Sequence, residues 1–569
     1  MLKKLSEKLR KTADLYSISG KEFIFITVMW LILLVINYFL IALHGFSLSY
    51  SKSWPGAGVV MSVIPLQLLL WCGYFLLRRS RWYLWSVVSI HFLVFFILLG
   101  IYLTTGTFFC ESILFLVYDT TLAETGDFIS AYVSFKAVAI LLLTAAGFFG
   151  GLFFLMKLAP GKKRYCRGDG IALLTIAVLM LYPLAVMINA HGWSFDRIFI
   201  APHPFCGIYE HIRLFNEHAG SFTVEMRHRS PPENTALHPA LKSNPPLGIL
   251  VIGESAIRSH HAIYGYHRNT TPNLLAEKEN IVTFNDTIAV LPMTITALKY
   301  WLTDMTLEKR HVSWTLFDAL KQAGYRIDVI TNQNKSGWAD SPLQMIFSTA
   351  DSITYMHEEN YSDLHEDRNA GIYDGNILPE LERTLNGAVQ NGERTPRLIV
   401  IHLFGSHDPY RSRYPEGFSR QFLDDTSTEQ LINEYDTSVL YTDFILSKVI
   451  SALKVFDHPC YMIYFSDHGS VCDPQRLRTP GSVENSAYEI PFLIWSNSRY
   501  RELLPETSAK INECRNVPLQ ADKAHYGLLE MMGVHIKEDD GKLNFLSPEF
   551  ELRPRTVREG AMPYVKEHK

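Results

Sequence analysis

The stretch Leu247-Gly248-Ile249-Leu250-Val251-Ile252 runs straight into Gly253-Glu254-Ser255. An apolar run with no polar alternation leaves no face for water, so it reads as a strand buried on both sides, as in parallel sheets covered by helices. Its polar residues come only at the carboxyl end. Arg326–Ile330 ends the same way in Thr331-Asn332-Gln333, Arg397–Phe404 in Gly405-Ser406-His407, and Tyr461–Phe465 in Ser466-Asp467-His468-Gly469, with a further buried run at Ile490–Trp495. Helical patterns at Ser313–Ala323, Asn376–Leu385 and Tyr435–Leu453 separate them. The alternation predicts an α/β domain, a mostly parallel central sheet sandwiched between helices. In such a sheet the carboxyl ends of the strands line one edge, where ligands bind. Any one of these endings is an ordinary turn or helix cap; together they predict a site.

Glu254, the Asp467-His468 pair and His407 are residue types that suit a borderline divalent cation, and mixed N/O ligation with an open position points to Zn²⁺, with Mn²⁺ second. Adjacent side chains diverge on a helix or strand, so joint ligation by Asp467 and His468 needs a sharp loop, which Gly469 permits. The segment Val290-Leu291-Pro292-Met293-Thr294-Ile295-Thr296 places a hydroxyl at the start of a helical pattern reaching about Thr303. There the helix dipole favours an alkoxide or a bound phosphate, and a metal would lower the hydroxyl pKa enough for nucleophilic attack. Residue types alone do not choose between Thr294 and Thr296, and either also suits a simple helix cap.

Upstream of this domain the chain changes character. Of its 569 residues 48% are apolar and 19% charged, which excludes global disorder, and 53 Lys plus Arg against 57 Asp plus Glu leave a net charge of -4, with no mark of nucleic-acid binding. Seven cysteines in a chain of this length do not make a disulfide scaffold. The mean hydropathy of +0.06 averages two unlike halves. Five apolar runs approach the ~20 residues needed to cross a bilayer: Phe23–His44, Ala57–Leu77, Trp82–Thr104, Ala137–Leu158 and Ile171–Asn189. Lys3, Lys4, Lys8, Arg10 and Lys11 precede the first, Arg78, Arg79 and Arg81 lie between the second and third, and Lys162, Lys163, Arg164 and Arg167 between the fourth and fifth. By the positive-inside rule these segments are cytoplasmic and everything after Asn189 is extracytoplasmic. The first run is too long in its apolar core for a cleaved signal and reads as an anchor.

The expected layout is therefore a cytoplasmic N-terminus over 1–22, a five-helix transmembrane bundle over 23–190, bridging helices and a linker over 191–245, and a soluble domain over 246–569. Ser230–Pro246 has five prolines and reads as linker, and the last ~25 residues, polar and broken by proline, as a loose tail. The loop from Gly106 to Phe135 carries Glu111, Asp119, Glu124 and Asp127 and no Lys or Arg. Its apolar stretch Phe108–Tyr118 is too short to span and is expected to lie along the bilayer surface, where a carboxylate such as Glu124 is either a solvated loop acid or a partner for a cationic headgroup.

Val251-Ile252-Gly253-Glu254-Ser255 with Arg258, Tyr264-Gly265-Tyr266, Arg268 and Thr270-Thr271-Pro272 resembles the opening of the catalytic domain of Gram-negative phosphoethanolamine transferases, inner-membrane proteins of the alkaline phosphatase and sulfatase superfamily. His402, Gly405-Ser406-His407, Arg413-Tyr414-Pro415, Tyr435-Asp436, Tyr441-Thr442-Asp443, Ser466-Asp467-His468-Gly469 and Ile490-Pro491-Phe492 continue the match in order. The resemblance implies a zinc site of Glu254, Thr294, Asp467 and His468, with Thr294 as nucleophile, His407 against the donor phosphate and Glu124 for the ethanolamine ammonium. It implies transfer of phosphoethanolamine from phosphatidylethanolamine, through a phosphothreonine, to a lipopolysaccharide acceptor at the periplasmic face, a core sugar or lipid A. The low cysteine count favours the core-modifying members. Three positions depart from the family pattern: Ser470 stands where a glutamate is common, Thr121 where an asparagine is, and the stretch from Cys472 to Glu489 lacks a histidine, leaving Arg476 or Arg478 to supply charge to the substrate. A permanent cation there does not act as a general acid near neutral pH. Rival readings are a phosphoglycerol transferase of similar layout, a hydrolase of sulfate or phosphate esters, and a catalytically silent membrane scaffold or sensor.

Overall fold

The structure, a computed structural model, describes residues 71–77, 81–105, 133–158, 221–333, 342–356, 373–390, 395–426, 428–472, 484–537, 541–557 and 562–566, together with scattered positions elsewhere in the N-terminal third. The chain divides into two compact units, Met1–Phe115 with Tyr132–Asn216, and Leu116–Ala131 with Glu217–Lys569.

In the first unit two helices among the described residues are long and apolar enough to cross a membrane: α1 (Arg81–Thr105) and α2 (Phe135–Leu158). At 1.5 Å per residue each exceeds the ~30 Å of a hydrocarbon core. They pack through Phe92 stacked on Phe148, with ring centroids 3.7 Å apart. Leu93, Ile97, Leu142, Leu143 and Phe153 remain exposed, which suits lipid as solvent. These helices coincide with two of the five expected spans; the other three fall largely outside the described residues.

The second unit is built on a seven-stranded sheet of β1 (Leu247–Gly253), β2 (Ile281–Thr283), β3 (Arg326–Thr331), β4 (Ser352–Tyr355), β5 (Arg397–His402), β6 (Cys460–Ser466) and β7 (Phe492–Ser496). Their order is β2-β7-β6-β1-β5-β3-β4. The block from β6 to β4 is parallel throughout, and β7 runs antiparallel to both its neighbours. β2 and β4 escape a reading of hydrophobic runs because they are short and sit at the edges, where half the strand need not be apolar.

All seven residues of β1 are buried, and the alternation of side chains splits them between two cores. Leu250 and Ile252 join one core with α3 (Thr294–Leu302) and α4 (Leu316–Gln322); Leu247, Ile249 and Val251 join the other with α5 (Ile377–Gln390) and α6 (Gln430–Lys454). This is the three-layer sandwich. A capping box starts α4, with the Thr315 side chain accepting from the Asp318 N–H and Asp318 accepting from the Thr315 N–H.

Register then positions the site. Ile252 pairs with His402, Gly253 with Ser466, and Thr331 with His402, so β1, β3, β5 and β6 end at one level. The residues just past those ends are brought to a common edge.

α3 is fastened by Trp301, fully buried and stacked on Phe465 of β6 at 3.9 Å. Trp301→Ala is expected to cost roughly 3–5 kcal/mol, read as a fall in the midpoint of chemical unfolding; an unchanged midpoint would show that α3 is held by other contacts.

Two segments are more ordered than their composition implies. Within the proline-rich stretch Thr235–Leu237 pairs antiparallel with Val534–Ile536. The C-terminal segment, expected to be loose, forms a small hairpin of Thr556–Val557 with Met562–Pro563. It is pinned by Arg555 and Lys566 on Asp286, at 2.8 and 2.9 Å, and by the Tyr564 hydroxyl donating to Glu489 at 2.7 Å. These are long-range charge pairings, which no local pattern announces.

Candidate metal centre

Glu254 leaves β1 into the shared edge with 1% of its surface exposed. Its carboxylate accepts from the Thr294 hydroxyl at 2.9 Å to Oε2 and 3.1 Å to Oε1, from the Ser255 hydroxyl at 3.1 Å, and from Gln333 Nε2 at 3.1 Å. Gln333 also donates to the Leu403 carbonyl. The next residue, Ser255, has φ 57°, a left-handed conformation rare outside glycine and a kind of strain that concentrates at functional sites. It is held there by its N–H donating to Asp467 Oδ1 at 3.1 Å and its carbonyl accepting from the Tyr435 hydroxyl at 2.9 Å. Gly405, with φ 53°, presses against the same turn; a Cβ there would lie 2.7 Å from the Glu254 backbone N and O.

Asp467 is fully buried. Its Oδ1 accepts from the N–H groups of Ser255 and His468, whereas Oδ2 has no hydrogen-bond partner among the described residues. A buried carboxylate oxygen without a donor is costly unless something else takes its charge. His468 Nδ1 donates to the Gly469 carbonyl at 2.6 Å, which turns Nε2 toward the carboxylates, 3.2 Å from Glu254 Oε1 and 3.5 Å from Asp467 Oδ2. One ligand atom from each of Glu254, Asp467 and His468 lies within 4.8 Å of the others.

Gly469 does allow the tight packing of this loop, though through space rather than backbone handedness. Its N–H donates to the Ala487 carbonyl, and a Cβ would lie 2.0 Å from the Ser486 carbonyl oxygen.

Charge explains what this cluster wants. Burial pushes the Asp467 carboxyl up, and the charge of Glu254 pushes it further. Burial also opposes ionisation of Glu254, but the hydrogen bond and charge of His468 outweigh it and hold Glu254 well below the ordinary carboxylate range. Burial would lower His468; the charges of Asp467 and Glu254 carry it up to about 9 instead. Two buried acids this close do not both ionise without a compensating cation. The orphaned Asp467 oxygen, the oriented imidazole and the mixed N/O set all fit a divalent cation, and these three side chains would hold it.

Thr294 is the first residue of α3, so its hydroxyl lies at the positive end of the helix. Thr296 is buried and donates back to the Met293 carbonyl at 3.3 Å, away from Glu254. His407 sits on an exposed loop after β5, with Nδ1 donating to the Asp408 carbonyl at 2.6 Å. It is outside the three-residue cluster, but its charge is among those that lower Glu254. Glu124, Thr121, Arg476 and Arg478 lie outside the described residues.

Three neighbours were not singled out by residue type. Gln333 is visible in sequence only as a polar strand ending. Fully buried His402 sits under Glu254, whose charge opposes the effect of burial; burial dominates and lowers its imidazole to about 4. Asp374 accepts from Asn332 Nδ2 and the Phe404 N–H, both at 2.8 Å, and from the Gly405 N–H at 2.9 Å, tying two strand ends together from a third segment. Among the described residues Cys72, Cys460, Cys472 and Cys514 take part in no disulfide.

Comparison with known proteins places this geometry. Residues 246–532 match the sulfatase family model. The phosphoethanolamine transferase EptC of Escherichia coli O18:K1:H7 is 29% identical over 440 residues, covering 71% of this chain and 72% of its own. The crystal structure of the C-terminal periplasmic domain of E. coli EptC in complex with Zn superposes with a TM-score of 0.50 at 25% identity, over 59% of this chain and 96% of that one. The integral membrane protein lipooligosaccharide phosphoethanolamine transferase A of Neisseria meningitidis shares the fold over 92% of this chain and 98% of its own, with a TM-score of 0.60 at 19% identity. The N-terminal helical region is thus similar in fold to part of a membrane protein, and the chain belongs to the sulfatase family.

Proposed function

We propose that this protein transfers phosphoethanolamine from phosphatidylethanolamine to a lipopolysaccharide acceptor, a core sugar or lipid A, at the periplasmic face of the inner membrane. The observation that carries the reading is the Thr294 hydroxyl at 2.9 Å from Glu254, beside Asp467 and His468. The relatives named phosphoethanolamine transferases support the headgroup, and the zinc complex of the E. coli domain supports the metal.

In this reading Glu254, Asp467 and His468 would hold zinc together with the Thr294 oxygen. The metal would supply Lewis acidity, lowering the hydroxyl pKa and neutralising charge that builds on the phosphoryl group. Thr294 Oγ1 attacks phosphorus, the bond from phosphorus to the diacylglycerol oxygen breaks, and the threonine proton ends on that oxygen. The acceptor hydroxyl or phosphate then forms the new bond to phosphorus, the threonine ester breaks, and the proton returns to Thr294. The positive end of α3, where Thr294 lies, would favour the negative charge that develops on the reacting oxygens. His407, on the exposed rim, binds the donor phosphate, Glu124 the ammonium, and Arg478 an equatorial oxygen.

Residues 1–22 are cytoplasmic, 23–190 form five transmembrane helices, 191–245 bridge, and 246–569 form the periplasmic catalytic domain. Anchoring the catalytic domain suits a reaction whose donor and acceptor are both lipids.

Mass spectrometry of lipopolysaccharide from cells with and without the gene tests this. The expected result is one added phosphoethanolamine per modified acceptor when the gene is present. An added phosphoglycerol, or no change in a strain that expresses the protein, would overturn it.

A further inference from the structure

The loop that carries His407 and the loop that carries Asp467 and His468 come from different strands, β5 and β6, which are separated in the sheet by β1. Something must hold them together if a phosphate bound by one is to meet a metal bound by the other. Tyr410 stands between them. It is 1% exposed, three residues beyond His407, and its hydroxyl is 2.9 Å from Ser470 Oγ, two residues beyond His468. Cys472 Sγ donates to the same phenol oxygen at 3.6 Å. The Tyr410 ring packs edge-on against Tyr435 with centroids 4.8 Å apart. The Tyr435 hydroxyl in turn accepts from the Ile257 N–H at 2.7 Å and donates to the Ser255 carbonyl, the residue after Glu254. Ile257, Tyr410, Tyr435 and Val439 form their own small buried core.

We infer that Tyr410 is a positioning residue whose hydroxyl, through Ser470, clasps the His407 loop to the metal-ligand loop. The clasp sets the distance between the donor phosphate and Thr294, while donor affinity is left to the rim residues. Its role in transfer rests on the function proposed above.

The test uses the full-length protein in detergent with Tyr410→Phe, Ser470→Ala and the double variant. Transfer from phosphatidylethanolamine and hydrogen exchange of backbone amides 466–472 are both measured. The expected result is a kcat about tenfold lower in each single variant, the consequence of one lost, partly buried hydrogen bond on reactive geometry, with the donor KM within about twofold. Exchange across 466–472 quickens in both, and the double variant is no worse than the more affected single one, because the two substitutions remove the same bond. Additive losses, or unchanged exchange in Tyr410→Phe, would overturn the clasp. If the wild-type protein transfers nothing from phosphatidylethanolamine, the functional reading fails, and the exchange measurement still decides the clasp.

Discussion

Thr294→Ala is expected to reduce headgroup transfer by about a thousandfold or more, the scale seen when a covalent nucleophile is removed, while the protein stays folded and still binds zinc. Both halves follow from placement. The hydroxyl lost is the group that hydrogen-bonds Glu254, and the residue is partly buried at a helix start where Ala is tolerated. Glu254, Asp467 and His468 remain to hold the metal. Thr294→Ser, which keeps an oxygen on the same carbon, should recover a measurable part of the rate. Mass spectrometry of the wild-type protein quenched during turnover should find phosphoethanolamine on the peptide containing residue 294 and none on the Ala variant. Full activity in Thr294→Ala would remove the nucleophile assigned here.

The second large effect concerns pH. In the metal-free cluster, burial and the charge of Glu254 raise Asp467, and the charges of Asp467 and Glu254 outweigh burial to raise His468. Both groups therefore carry protons at neutral pH that zinc must displace before it can bind. The sign is fixed by that release. Lowering the pH favours the protonated, metal-free form, and raising it favours the complex. Apparent zinc affinity should tighten by at least about tenfold between pH 6 and pH 8, measured by competition with a chelator whose own pH dependence is known. Asp467→Asn should weaken binding at every pH and flatten this dependence, since one displaced proton is gone. An affinity that does not change with pH, or falls as pH rises, would mean that the cluster is already deprotonated and that the orphaned Asp467 oxygen is satisfied in another way.

Much of the site was readable along the chain because of one physical regularity. Parallel strands buried on both faces are unbroken apolar runs, and the residues that follow them have nowhere to go but the ligand edge. Glu254, Asp467 and His468 each come directly after such a run, so their residue types and positions could be named together. Thr294 was harder. Its local pattern is an ordinary helix start, and Thr296 fits that pattern equally well; the choice came from resemblance, and the fold places only the first within reach of Glu254. Gln333, His402 and Asp374 gave weaker signals or none, since a strand-end amide, a buried imidazole and a loop carboxylate are each common.

What the amino-acid sequence determined by itself was therefore whatever local periodicity encodes: apolar runs long enough for membrane spans, buried strands, the helices between them, and the polar residues at strand ends. What only the tertiary structure decided was which distant groups share an oxygen or a charge. The orphaned face of Asp467, the reversal of β7, the hold of Arg555 and Lys566 on Asp286, and the meeting of Tyr410 with Ser470 all depend on strand order and register. Those are properties of side chains tens to hundreds of residues apart, set by packing across the sheet, and no window of neighbouring residues contains them.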